Sequence, residues 1–324
     1  MSVNSPKGDS GYSLGPGDPV SNRVQGGVLT ALIRAVRPKQ ATKNLFVYAA
    51  LIFTGKLFQL APFIKVTIGF LLFTAVAGGV YLLNDILDVA QDRLHPTKSR
   101  RPIASGQLSI PVAAAALLVL EIGGLMLGWM QAPAFGAAMG IYLLLQICYC
   151  FKLKHVVLLD VFTIAIGFVL RTVAGGLILN VSISNWLVLC SLQLALFLGF
   201  GKRRQELVLL GEEAGSHRAI LQEYSMPFLD QMINIVSAVS IVCYSVYSVE
   251  SDTAHRHPHL WITVPVVIYS VCRYLYLVYQ KGWGGAPDDV LMKDRSLQTA
   301  ILIWLALILL LFKFDLTGHP LIKY

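Results

Sequence analysis

Three aspartates, one asparagine and a run of bases crowd into a single polar stretch between two long apolar runs. Residues 81–107 read Tyr81-Leu-Leu-Asn84-Asp85-Ile-Leu-Asp88-Val-Ala-Gln-Asp92-Arg93-Leu-His95-Pro96-Thr97-Lys98-Ser-Arg100-Arg101-Pro102 and end at Ser105-Gly106-Gln107. If the helix of the preceding run continues to residue 92, Asp85, Asp88 and Asp92 project at about 0°, −60° and −20°, with Asn84 at about −100°. That is a one-sided stripe of hard oxygen donors. Carboxylates on one face repel each other, and a helix C-terminus is the unfavourable end for negative charge. A stripe that costs stability twice is suited to a divalent cation. Mg²⁺ takes one or two carboxylates alongside waters and phosphate oxygens, so the stripe implies a phosphorylated ligand as much as a metal. Asp85, Asp88 and Asp92 are therefore the candidate catalytic residues, and Asp85, Asp88 and Asn84 the candidate metal ligands.

A second polar stretch, Gly199-Phe-Gly201-Lys202-Arg203-Arg204-Gln205-Glu206-Leu207, is basic with one carboxylate. Lys202 and Arg203 suit direct phosphate contact, and Glu206, four residues from Lys202, suits orienting it or a ligand hydroxyl. A plain anchor to the membrane surface accounts for the three bases but leaves Glu206 unexplained. Asp160 and Arg171 lie eleven residues apart, about 20° apart on the helical wheel and ~16 Å along the axis, so they share a face without touching. Asp160 fits either a ligand site or a boundary position near Lys154. Arg171 fits either a lipid phosphate or a buried structural pair, and must face the bundle interior.

The elements that position these groups are membrane spans. The chain has 324 residues, 56% hydrophobic and 14% charged, with a mean hydropathy of +0.65, far from the ~25% charged content of soluble domains. At ~20 residues per span, nine transmembrane helices are expected, near 44–62, 66–88, 108–130, 132–150, 156–179, 185–201, 227–249, 260–280 and 298–315. With the N-terminus in the cytoplasm, nineteen Lys and Arg fall inside and three outside. That bias predicts an all-α, polytopic inner (plasma) membrane protein with the acidic stripe at the cytoplasmic face. Residues 1–28 read as a disordered tail, 29–43 as an amphipathic interfacial segment, and 44–324 as the catalytic bundle. The net charge of +8 suits anionic lipid rather than nucleic acid.

The other candidates read as structural. None of the five cysteines has a CxxC partner, so they are expected to be buried packing residues without a disulfide or zinc site. His255-Arg-His257-Pro-His259 reads as surface histidines in an outer loop. Gly175-Gly176 allows close helix approach. Pro287-Asp288-Asp289 and Asp294-Arg295 read as caps of the last inner loop, and Arg273, among Tyr269, Tyr274, Tyr276 and Tyr279, as part of an interface belt.

The motif Asn84-Asp85-x-x-Asp88-x-x-x-Asp92, followed by Lys98-x-Arg100-Arg101-Pro102, resembles the first aspartate-rich motif of the UbiA superfamily of intramembrane prenyltransferases. The resemblance implies a UbiA-like bundle with a Mg²⁺-dependent active site. Where aromatic prenyltransferases of that family carry a second Asp-rich motif, this chain has the basic stretch 199–207. Together with Arg37-Pro38-Lys39-Gln40-Ala-Thr-Lys43-Asn44, Leu159-Asp160-Val-Phe and Arg171-Thr-Val-Ala-Gly175-Gly176, it is most similar to the decaprenyl-phosphate phosphoribosyltransferase branch. This resemblance implies transfer of 5-phosphoribose from phosphoribosyl diphosphate to a polyprenyl phosphate. Phosphate binding would then fall to Lys39, Lys43, Lys98, Arg100, Arg101, Lys202, Arg203 and Glu206. The alternative is an aromatic prenyltransferase acting on a polyprenyl diphosphate, and a homo-oligomer is left open.

Overall fold

The computed structural model describes residues 27–95, 97–210, 219–283, 290–291 and 293–315. The expected tail, apart from its last two residues, and Pro287-Asp288-Asp289 lie outside them. Among the described residues, eight helices are long and apolar enough to cross a membrane. After α1 (Val28–Val36) and a short α2 (Ala49–Phe53) come α3 (Leu60–Leu87), α4 (Val89–Leu94), α5 (Ile110–Gln131), α6 (Pro133–Phe151), α7 (Leu159–Leu179) and α8 (Asn185–Leu210). They are followed by α9 (Met226–Glu250), a short α10 (Asp252–Arg256), α11 (Val264–Gln280) and α12 (Arg295–Asp315). The eight candidates are α3, α5–α9, α11 with its preceding 3₁₀ turn, and α12. The turn signal at Gln131-Ala-Pro133 separates α5 from α6 where expected, and Gln131 Nε2 donates to the Lys65 carbonyl at 2.9 Å.

The exception is the first expected span. Residues 44–62 do not form one helix. The chain leaves α1 at Arg37, which adopts φ 57°, and runs from Pro38 to Tyr48 as an eleven-residue 3₁₀ segment before α2 and a turn. Proline disfavours the helical region for the residue before it, which ends α1 here, inside the expected interfacial segment. A 3₁₀ run longer than three or four residues is uncommon, because its hydrogen bonds are poorly aligned. This one is held from outside, by α3 and α7.

Two apolar cores share α7. One gathers Val66, Phe73, Phe135, Met139, Tyr142, Ala174 and Ile178. The other gathers Val161, Ala165, Leu196, Phe197, Phe200, Ile233, Tyr274 and Leu277. Between them the backbone of α7 must come close to the 3₁₀ segment: a Cβ built on Gly175 would lie 2.0 Å from the Val47 carbonyl oxygen. The expected small-residue contact is therefore real, but its partner is a 3₁₀ segment. Gly175→Val is expected to lower the detergent-solubilised melting temperature by several degrees, since overpacking a closed contact costs about 1–3 kcal/mol; an unchanged melting curve would contradict this packing.

All five cysteines are free. Cys150 and Cys243 are buried as expected; Cys148 and Cys272 are exposed on the bundle surface, where lipid tails are as apolar as a core. His257 stacks on Phe312 with ring centroids 4.1 Å apart, and no histidine cluster able to hold a metal forms among the described residues. Asp294 caps α12 by accepting from the Leu297 N–H at 2.7 Å. It also binds Arg273 at 2.8 Å, which makes Arg273 a tie between α11 and α12 and not only part of a belt. The Arg273 hydrogen bond holds the Asp294 carboxyl below its ordinary range.

Candidate active site

α3 stops at Leu87 and α4 begins at Val89, with Asp88 between them at φ −92°, ψ 6°. The i→i−4 bonds nonetheless run through the joint: Asp88 N–H donates to the Asn84 carbonyl at 2.9 Å, and Asp92 N–H to the Asp88 carbonyl at 2.8 Å. The helical register expected from the sequence thus survives a slight kink, and the three aspartates stay on one side.

Each aspartate is met by a base from a different part of the chain. Asp85 is 2% exposed; its Oδ1 accepts from Arg37, and from Arg101 Nη1 at 2.9 Å. The same Arg101 nitrogen donates to Asp92 Oδ2 at 2.7 Å. Asp85 and Asp92, the pair closest in angle on the wheel, are therefore bridged by one guanidinium. Asp88, turned farther round, is half-buried and accepts from Lys154 Nζ at 2.8 Å. Arg37 also lies over the Tyr81 ring, 5.0 Å from its centroid. Its left-handed backbone turns the side chain back toward α3.

For Asp92 the sequence offers several nearby bases, Arg93 and Lys98 among them. The structure pairs it with Arg101, while Arg93 Nε donates to the Ala104 carbonyl at 3.3 Å. Arg37 and Lys154 were absent from the expected phosphate-binding set, although both sit directly on the stripe. Nothing local singles them out, because they are two of many bases in the polar stretches and lie 48 and 66 residues from their partners. Lys39 and Arg100 are exposed, and Lys43 and Lys98 half-buried. Asn84 is half-buried, with its carbonyl in the helix ladder.

The second polar stretch folds differently from its expectation. Arg203 is 2% exposed and turned inward, donating from Nε to Asp160 Oδ2 at 2.7 Å and from Nη1 to Glu206 Oε2 at 2.5 Å. It holds Glu206, which is half-buried, and does not offer itself to a phosphate. Burying a guanidinium requires carboxylates around it, and those two satisfy it. Lys202, 44% exposed in its side chain, is 4.0 Å from Glu206 Oε1. Arg204 binds Asp230 at 2.6 Å and lies over the Tyr279 ring.

Asp160 is fully buried, so it belongs to the support of the site and not to its surface. Its other oxygen accepts from the Tyr224 hydroxyl at 2.6 Å, and that hydroxyl accepts in turn from the Leu158 N–H at 2.8 Å. Burial, then the bond to Asp160, hold the Tyr224 phenol well above its ordinary range, so it stays a donor. The sequence carried no mark of Tyr224. The turn Leu153–His155, which carries Lys154, packs against α7 and against the 3₁₀ turn Ala219–Glu223. It joins the acidic stripe to the Asp160–Arg203–Glu206 group.

Arg171 and Asp160 do not meet, as their spacing required. Arg171 is 5% exposed and donates to Asn44 Oδ1 at 2.7 Å, the Gly167 carbonyl at 2.7 Å and the Tyr142 hydroxyl at 2.9 Å. All three are neutral partners.

Among the described residues no three carboxylate, His or Cys side chains form a metal-binding group. The donors present still fit a divalent cation shared with a ligand. Asp85 Oδ2 is buried without a hydrogen-bond partner, and Asp88 follows one helical turn later. Two carboxylates and a phosphate are what Mg²⁺ takes where a protein does not enclose it.

Residues 44–203 match the UbiA prenyltransferase family. The chain is 33% identical over 292 residues to the decaprenyl-phosphate phosphoribosyltransferase of Mycolicibacterium smegmatis, covering 87% of this chain and 92% of that protein. It is 33% identical over 279 residues to the Corynebacterium glutamicum protein of the same name, covering 84% of each. Among solved structures, a UbiA homolog from Archaeoglobus fulgidus bound to DMAPP and Mg²⁺ superposes with a TM-score of 0.68 at 17% identity, over 89% of this chain and 100% of that one. Digeranylgeranylglyceryl phosphate synthase gives a TM-score of 0.58 at 18% identity, over 89% and 98%. The eight apolar helices, the base-matched aspartates and these relatives agree, and the chain belongs to the UbiA prenyltransferase family of transferases.

Proposed function

We propose that this protein transfers 5-phosphoribose from phosphoribosyl diphosphate to a polyprenyl phosphate, with Mg²⁺, at the cytoplasmic face of the inner membrane. One observation carries the reading: three aspartates on one helix face are each met by a base, Arg37, Arg101 or Lys154, from three separate segments. Such a site offers carboxylates to a metal and guanidinium and ammonium groups to phosphate at the same place. The donor brings a diphosphate at C1 and a phosphate at C5, which suits one acidic stripe surrounded by bases.

In this reading Asp85 and Asp88 hold the cation, with Asn84 beside them. When bound, the metal neutralises the leaving pyrophosphate. Arg37, Arg101 and Lys154 turn from the aspartates toward phosphate oxygens, and Lys202, Lys39, Lys43, Lys98 and Arg100 supply further positive charge around them. These groups hold two anionic reactants together that would otherwise repel. The lipid phosphate is already anionic, so the protein need not supply a strong base for its attack on C1. Asp160, Arg203 and Tyr224 fix Glu206, which is placed for a ligand hydroxyl.

The 3₁₀ segment and α2 together span about 30 Å, the thickness of a bilayer's hydrocarbon core. They serve as a ninth crossing, which keeps the N-terminus and the stripe on the cytoplasmic side, as the charge bias requires. The relatives named decaprenyl-phosphate phosphoribosyltransferase support the choice of donor and acceptor.

The test is turnover in proteoliposomes containing the purified chain, polyprenyl phosphate, phosphoribosyl diphosphate and Mg²⁺. The expected result is pyrophosphate release matched by a phosphoribosylated lipid, abolished by chelation. Turnover of a polyprenyl diphosphate with an aromatic acid, and none with phosphoribosyl diphosphate, would replace this reading with aromatic prenyl transfer.

A further inference from the structure

The 3₁₀ segment is pinned to α3 by three polar rungs in antiparallel order. Arg37 meets Asp85, Asn44 Nδ2 donates to Thr74 Oγ1 at 3.0 Å, and the Tyr48 hydroxyl donates to Thr67 Oγ1 at 2.9 Å. The rungs on α3, from Asp85 to Thr67, span about 27 Å of helix. The facing residues, Arg37 to Tyr48, would span only ~16 Å as an α-helix but ~22 Å at the 3₁₀ rise of about 2.0 Å per residue. The long Arg37 side chain covers the remainder. The stretched conformation is thus what lets both ends of the segment reach α3 together.

A 3₁₀ run of this length needs an external hold, and α7 supplies one from the other side. Arg171 Nε donates to Asn44 Oδ1 at 2.7 Å. Its remaining nitrogens are fixed by the Gly167 carbonyl and the Tyr142 hydroxyl, and its guanidinium lies against Phe73, Tyr142 and Phe168. Asn44, itself 2% exposed, is gripped at both ends of its amide. One turn further along α7, Gly175 admits the Val47 backbone.

We infer that Arg171 is a positioning residue: through Asn44 it holds the 3₁₀ segment in register on α3 and so keeps Arg37 on Asp85. This accounts for a cation buried among neutral partners, since an intramembrane Arg is costly to keep unless it holds something in place. The placement of Arg37 stands on the contacts alone; its effect on donor affinity rests on the phosphoribosyl-transfer reading.

The test is a double-mutant cycle on the melting temperature of the detergent-purified chain. Arg37→Ala and Asp85→Asn are combined in the wild-type background and again with Asn44→Ala. The expected result is a coupling of several degrees in the first background, reduced to less than half in the second. Equal coupling in both, or none in the wild-type background, overturns the inference. Arg171→Lys, which leaves the Asn44–Thr74 bond in place and loses the three-way guanidinium hold, replaces Asn44→Ala if that variant does not fold. If the transfer assay succeeds, Arg171→Lys is expected to raise the donor KM several-fold with kcat within about twofold. A fall in kcat at constant KM would place Arg171 at the reacting atoms and also overturn it. Failure of the transfer assay bears on the reaction and leaves the melting cycle to decide the positioning role.

Discussion

Asp85→Asn is expected to lower kcat/KM for the proposed donor by at least about 10²-fold, equivalent to ~2.7 kcal/mol of transition-state stabilisation. Asp85 is the most heavily engaged carboxylate of the stripe. Its Oδ1 takes both Arg37 and Arg101, while its buried Oδ2 has no hydrogen-bond partner. A buried acceptor left unsatisfied costs about 1–3 kcal/mol, and a divalent cation is the natural partner for that lone pair. The amide keeps the side chain's size but must turn its N–H groups either to the two guanidinium donors or to the metal, and its oxygen is neutral in either orientation. Both lose charge where phosphate and metal must be balanced. The measurement is a Mg²⁺ titration of activity at saturating lipid, paired with Mn²⁺ binding followed by electron paramagnetic resonance. The expected pattern is a raised metal requirement together with weakened Mn²⁺ binding. Wild-type kcat/KM at the wild-type Mg²⁺ requirement would remove Asp85 from the metal site. Asp88→Asn, whose partner Lys154 approaches from a single direction, is expected to cost less.

Arg101→Ala is the change with the largest expected effect on stability. One Arg101 nitrogen holds both Asp85 and Asp92, at 2.9 and 2.7 Å, and both carboxylates are nearly buried. Without it Asp92 loses its counter-charge and stands on the same helix face as Asp85. Removing one partner of a buried pair costs about 3–5 kcal/mol, because the remaining charge is left uncompensated. Here the loss is moderated by Arg37, which still holds Asp85, and by the half-buried position of Arg101 itself. The expected result is a lower melting temperature in detergent, partly restored by adding Asp92→Asn, which removes the stranded charge. Arg101→Lys should recover charge but not the double contact, falling between the two. If Arg101→Ala melts like the wild type, the guanidinium bridge carries no load.

The spans were legible because hydropathy needs only local sequence, and the aspartate stripe because its spacing at i, i+3 and i+7 fixes its direction on a helix. The structure of residues 38–53 was not. Pro38–Tyr48 reads Pro-Lys-Gln-Ala-Thr-Lys-Asn-Leu-Phe-Val-Tyr, too polar for a span and without helical periodicity. Its conformation is set by rungs to α3 and α7 that no local pattern announces. The partners of the stripe were hidden for the same reason. Arg37 and Lys154 reach Asp85 and Asp88 across 48 and 66 residues, and many other bases were equally eligible. Arg203 illustrates the reverse: in sequence it reads as a phosphate contact beside Lys202, whereas in the fold Asp160 draws it inward.

The grip of Arg171 on Asn44 also sets an order of events during synthesis. The two residues are 127 positions apart, and at about 5–20 residues per second the ribosome takes roughly 6–25 s to add that length. Throughout that interval the 3₁₀ segment and α3 have been made while α7, which carries Arg171, has not. Thr74 on α3 can already accept from the Asn44 amide N–H, but the amide oxygen must stay hydrated or be sheltered by the insertion machinery until Arg171 arrives, since hydrocarbon offers it no partner. The 3₁₀ segment therefore takes its final place late, only after α7 has been made, although it precedes α7 by more than a hundred residues.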